Sequence, residues 1–252
     1  MTSLPFDHWQ WFVLILGALS VGLSKTGVPG LSMLFVAVFA DMLGARASTG
    51  VILPLLIMGD IFAVRLYRQH LVWSHLWRLF PWTIGGVLMG WLTLGRLNDL
   101  WTSRLIGSIL LTMLAFHFWR KNATRPTSDH TTSTPRLLAP VSGVLAGFCT
   151  MVANAAGPVM SIYLLAMRLP KLEFMGTSAV FFLVLNWAKV PFMINLGIIN
   201  RESLQLNLWL APAVIVGALA GRWLAGKISQ RWFEIITLAL SAIAAGKLIL
   251  KH

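Results

Sequence analysis

Charge is scarce in this chain. Only 11% of its 252 residues are Asp, Glu, Lys or Arg, against about 25% in an ordinary soluble domain. That shortage excludes a soluble globular enzyme, and it excludes a disordered chain, which charge and polarity keep unfolded. Cysteine is nearly absent as well. The single Cys149 rules out an internal disulfide, and it lies in an apolar stretch that says nothing of a redox compartment. The six His and one Cys show no metal-ligand spacing, so no metal is expected. The eight acidic residues form no catalytic pair, and there is neither a nucleophile elbow nor a P-loop. An enzyme is therefore not expected, nor a cofactor, nor ATP-driven transport by this chain alone. Met1 to Gln10 lack a basic leader and no small-residue cleavage site follows, so the first apolar segment is expected to be retained.

What is present is apolar. Hydrophobic residues make up 57%, Trp occurs 12 times and the mean hydropathy is +0.76. These values fit an all-α, polytopic membrane protein. The formal charge is +12, from 20 basic and 8 acidic residues. In a soluble protein that excess would suggest nucleic acid. Here it fits basic loops that meet anionic lipid and set orientation, so membrane lipids are the expected partner and nucleic acid is not.

A span needs about 20 apolar residues. Candidate segments run 9–24, 28–40, 47–64, 79–95 and 103–119, then 137–152, 156–167, 173–195, 205–224 and 232–250. Residues 121–136, rich in Thr, Ser, Pro and charge, read as a solvated linker between a first unit at 1–120 and a second at 137–252. The halves look duplicated. Pro81, Gly86, Gly90 and Trp101 match Pro212, Gly217, Gly221 and Trp232 at an offset of 131. Pro29, Ser32 and Ser48 match Pro158, Ser161 and Thr177 at an offset of 129, and Gly22 meets Gly147 if four residues are skipped.

Each half opens with two short segments around a polar, Gly/Pro-rich break: Ser24 to Gly30 in the first, Thr150 to Pro158 in the second. Neither run continues a helix easily. The freed backbone groups need protein or water around them, and paired breaks of this kind point to a transporter's binding site. Loop charge tests the topology. Lys25 and Lys189, which sit within apolar segments, are left out of this count; if each broken pair is one long span, the repeats are parallel and the remaining 18 basic residues divide 10 to 8 across the membrane. If each is a re-entrant hairpin followed by three longer helices, the repeats are inverted and the division is 12 to 6. The positive-inside rule favours the hairpins, with a cytoplasmic linker and both termini outside.

The runs Gly17 to Pro29, Ala47-Ser48-Thr49-Gly50, Gly143 to Pro158 and Gly176-Thr177-Ser178-Ala179 resemble those of the sulfite exporter TauE/SafE family, also called the toluene-sulfonate uptake permease family. The likeness extends from about Trp11 to Leu250. Members often carry several glycines in the broken segments, whereas this second break has one, Gly157. The resemblance implies a multi-pass protein of the bacterial inner membrane that moves sulfite, sulfonates or related small anions.

Lys25, in the first break, is the sharpest candidate for an anion site. A Lys inside a membrane costs ~2.5–3.5 kcal/mol on insertion scales unless something compensates it. The alternative is that it snorkels to head groups. Thr26 and the Gly27 amide would add donors beside it. Asn154, in the second break, could donate to an anion or cap the helix beginning near Ala156. Ser48 and Thr49, with Thr177 and Ser178, stand where the next segments begin; they could bind the anion or pack helices. Asp60 and Lys189 are related by the offset of 129. They are expected to form an ion pair across the pseudo-symmetry axis, leaving Lys25 without such a partner. Alternatively, Asp60 relays a proton and Lys189 binds the anion.

The expected function is alternating-access transport of a small anion, with a carrier of cations or protons through Asp60 as one alternative and a non-transporting assembly subunit as another. Arg65, Arg68, His70, His75 and Arg78, with Tyr67, Trp73 and Trp77, read as an interfacial anchor, and His117 as a packed residue. Small-residue faces such as Gly217 to Gly221 could join helices within one chain or between copies in a homo-oligomer.

Overall fold

The structure, a computed structural model, describes residues 6–29, 31, 35–36, 39, 42–43, 45–93, 99–123 and 137–249. Among them are nine α-helices: α1 His8–Thr26, α2 Ala45–Tyr67, α3 Trp73–Thr93, α4 Asp99–Ala123, α5 Leu138–Ala153, α6 Ala156–Ala166, α7 Lys171–Asn195, α8 Arg201–Lys227 and α9 Gln230–Ile249. A 3-10 turn at Arg68–His70 joins α2 to α3. No strand occurs among the described residues. Segment 28–40 of the first half lies largely outside them, as do 124–136 of the linker.

Several helices begin earlier than hydropathy suggests. α8 starts at Arg201 because Asn200 Oδ1 accepts from the Ser203 amide at 2.8 Å and the Ser203 hydroxyl bonds back to the Asn200 amide at 2.9 Å. This reciprocal cap satisfies two otherwise orphaned donors. α3 starts at Trp73, so part of the basic turn is already helical.

The polarity of the fold is inside out. Asp60, Lys189, Asn186, Thr177 and Thr26 are buried, while Leu88, Met89 and Leu92 of α3 and Leu208, Trp209, Leu219 and Trp223 of α8 are exposed. Water would disfavour such outer faces, whereas lipid accepts them. Segments 47–70, 171–195 and 201–227 are each long and apolar enough to cross a membrane.

Two glycine seams hold the bundle. Along α1 and α8, Gly22 faces Val214 and Ala218, Gly217 faces Leu19, and Gly27 lies on Gly221. Along α3 and α5, Gly86 faces Val144 and Phe148, Gly147 faces Thr83 and Val87, and Gly90 faces Met151. In both seams residue numbers rise together, so the partners run in the same direction. The backbones approach because no side chain intervenes. A Cβ at Gly217 would run into the Leu19 carbonyl. Gly217→Val is therefore expected to cost about 1–3 kcal/mol by overpacking. The thermal midpoint of the purified protein should fall by several degrees, while Gly85→Ala, which meets nothing within 4 Å, should leave it unchanged.

The buried apolar residues form two clusters. One joins α1, α2 and α8 through Leu14, Val21, Ile52, Leu55, Leu210 and Val214, with Phe35 and Phe39. The other centres on α5, α6 and α7 and includes Cys149, Val159, Tyr163 and Phe181.

Candidate functional site

The two helix breaks meet α2 and α7 in the interior. α1 runs through Lys25 and stops after Thr26, where Gly27 N donates to Leu23 O at 2.9 Å. α5 stops at Asn154, whose left-handed backbone (φ 51°, ψ 30°) terminates the helix, a conformation Asn tolerates. Asn154 thus ends α5; it does not cap the following helix, whose N-cap is Ala155. Between these ends lies a small cleft lined by Ser24, Lys25 and Pro29 of the first break, by Thr150, Asn154 and Gly157 of the second, and by Ser161 of α6. Asp60 contributes from α2, and Ser178, Phe182 and Asn186 from α7.

Lys25 Nζ lies 2.7 Å from Asp60 Oδ1. This corrects the sequence expectation: Asp60 pairs with Lys25 of the preceding helix, and the ion pair does not join Asp60 to Lys189. Asn186 Nδ2 donates to the other carboxylate oxygen at 2.7 Å. The Lys25 ammonium also stands over the Phe182 ring, 4.3 Å from its centroid, where the ring face attracts a cation. Gly59 leaves a slot for the Lys25 stem; a Cβ there would come within 2.9 Å of Lys25 Cγ.

Lys189 is fully buried and spends its three donors on the end of α5. It donates to Thr150 O at 3.2 Å, to Thr150 Oγ1 at 2.9 Å and to Asn154 Oδ1 at 2.6 Å. A cation at a helix C-terminus meets orphan carbonyls and the negative end of the dipole. Because an ammonium only donates, the Asn154 amide oxygen must face Lys189, and its Nδ2 is left to donate to Thr49 O at 3.2 Å.

Both links join a break residue to the long helix that follows it, Lys25 to Asp60 and Asn154 to Lys189. Their members are related by the same offset of 129. Two lysine amines and one carboxylate gather at this centre, which carries one net positive charge when both amines are protonated and the carboxylate is ionised.

The remaining expected site residues are placed differently. Thr26 Oγ1 donates to Ala218 O at 2.6 Å and Thr26 O accepts from Tyr67 Oη at 2.7 Å, so Thr26 and Gly27 serve the α1–α8 seam. Thr177 Oγ1 accepts from the Val72 amide at 3.1 Å. Ser48 and Thr49 are buried on α2 and do not themselves line the cleft, although Thr49 O accepts from the lining residue Asn154. Of the four hydroxyl candidates only Ser178 lines the cleft, and its Oγ donates to Met175 O at 3.1 Å. Among the described residues no three His, Cys, Asp or Glu gather as a metal site would require.

A family model described as sulfite exporter TauE/SafE matches residues 13–248. The chain belongs to the sulfite exporter TauE/SafE family. The match spans all nine described helices apart from the first residues of α1 and the last residue of α9. No curated protein and no solved structure matches the chain.

Within this TauE/SafE protein, the cleft also includes Phe182 and Ser161, which reasoning from breaks and charges did not single out. Phe174, Ser178, Phe182 and Asn186 recur every four residues on α7, so one face of that helix turns to the cleft. In the outer turn, His75 Nδ1 is 3.0 Å from Tyr163 Oη, so His75 ties α3 to α6, whereas Trp73 and Trp77 are exposed as interface anchors should be.

Gly59 offers a separate test of Lys25's placement. Gly59→Val is expected to push the lysine stem away and lower transport several-fold with Asp60 and Asn186 untouched, as measured by initial flux at matched protein level.

Proposed function

We propose that this protein is a secondary transporter of small oxidised-sulfur anions, sulfite or a small sulfonate, across the bacterial inner membrane. The observation that carries this reading is the interior cleft built where both helix breaks meet, lined by Lys25 and its partner Asp60, with Lys189 behind it on Asn154. Lys25 supplies charge to the anion; Asn154 and Ser178 orient it. A mid-membrane lysine is costly and marks a pathway when it faces a cavity, and two broken segments around one cleft fit the binding site of a transporter built from repeats.

Alternating access would come from two inverted repeats, at 1–120 and 137–252, with the linker at 121–136. Three observations support this topology. Val72 donates to Thr177, and Gly176 packs against Tyr67 and His70, so the α2–α3 turn and the start of α7 share one side. Lys171 Nζ donates to Ala225 O and Ile228 O at 2.7 and 2.6 Å, bringing the α8–α9 turn to that side too. α5 starts beside the start of α3, and α6 ends next to Lys171, as a re-entrant hairpin requires. A four-crossing arrangement would separate the α2–α3 turn from the start of α7.

A cation carrier through Asp60 is disfavoured because Lys25 already holds that carboxylate. Purified protein in liposomes, offered sulfite, thiosulfate, a sulfonate and alkali cations, separates the readings. Uptake of one or more anions is expected; uptake of a cation with no anion would contradict the reading.

A further inference from the structure

We propose that a doubly charged anion enters this cleft together with one proton, taken from solvent onto Asp60 Oδ1. The inference rests on the anion reading above and adds the coupling.

With both amines protonated and the carboxylate ionised, Lys25, Lys189 and Asp60 sum to one positive charge. A bound monoanion brings the total charge to zero. A bound dianion with Asp60 ionised leaves one negative charge in excess inside the protein, where unbalanced charge is strongly disfavoured. A proton on Asp60 restores neutrality.

The geometry says which groups move. Lys189 has all three donors engaged by Thr150 and Asn154 and does not line the cleft. Lys25 does line it, and its side chain keeps 10% of its surface exposed against 0% for Asp60. Lys25 is therefore the cation that turns to a ligand. When it turns, Asp60 Oδ1 loses its counter-charge. Oδ2 remains fixed by Asn186, so the carboxyl stays in place to receive the proton. The charged groups acting on Asp60 are Lys25 from α1 and Lys189 from α7; α8, also packed on α2, brings none among the described residues. The proton thus substitutes for Lys25 as the partner of Oδ1, and the anion substitutes for Asp60 as the partner of Lys25.

The test is titration calorimetry on the full-length protein in nanodiscs, with thiosulfate as the dianion and methanesulfonate as the monoanion. Each is measured in two buffers of different protonation heat. About one proton should be taken up per thiosulfate and none per methanesulfonate, and thiosulfate affinity should fall about tenfold per unit rise in pH. Asp60→Asn should bind thiosulfate without proton uptake or pH slope. Should that variant fail to fold, the proton count on the unaltered protein decides alone. Thiosulfate binding without proton uptake overturns the coupling and leaves the anion site standing; absence of binding by both anions overturns both.

Discussion

Lys25→Met is expected to lower anion flux by about 100-fold, the loss that follows when one partner of a buried charged contact is truncated. It should also reduce the yield of folded protein. Asp60 is fully buried and Lys25 Nζ is its only ion-pair partner among the described residues, 2.7 Å away. Removing one member of such a pair costs about 3–5 kcal/mol, because the other charge is left uncompensated. The two effects come apart in the double variant Lys25→Met with Asp60→Asn. There the stranded carboxylate is gone, and an amide can still bond Asn186, so folding should recover. Flux should not, because the ammonium proposed to meet the anion is still missing. Size-exclusion profiles report the first effect and liposome uptake the second.

Asn154→Asp is expected to keep the fold and weaken anion binding. A carboxylate at this position would sit against Lys189, whose Nζ already lies 2.6 Å from the Asn154 oxygen. The new ion pair would offset the lost donation to the Thr49 carbonyl. It would also take the centre from one net positive charge to neutral and set a negative group in the cleft lining. Affinity for a monoanion should fall at least ~10-fold, about 1.4 kcal/mol, with the thermal midpoint nearly unchanged. Unaltered affinity in a folded Asn154→Asp protein would mean that the anion is held elsewhere.

The sequence already marked Lys25, Asn154, Asp60 and Lys189 as residues of consequence, because each is polar within an apolar run. It also marked the helices, through hydropathy, and the glycine seams, because Gly86, Gly90, Gly217 and Gly221 recur at matched positions. Pairing was harder to read. An offset of 129 says that Asp60 and Lys189 occupy like positions in two halves; it does not say that they touch. What is repeated is the contact from a break residue to the helix after it, Lys25 to Asp60 and Asn154 to Lys189, with charges exchanged. Thr26 was misleading for a related reason. Its place beside Lys25 in the chain puts it about 100° around the helix, on the face that meets α8 rather than the cleft. Phe182 and Ser161 were hidden because an aromatic or a serine in a membrane helix has no distinctive cost, and only the packing of α6 and α7 turns them inward.

The central claim is that the Lys25 ammonium, in a buried centre of net positive charge, binds the transported anion. The most direct measurement is uptake of labelled sulfite by liposomes carrying the folded Lys25→Met/Asp60→Asn double variant, beside the unaltered protein at equal density. Uptake by the unaltered protein and none above empty liposomes by the double variant is the expected result. Equal uptake by both would contradict it.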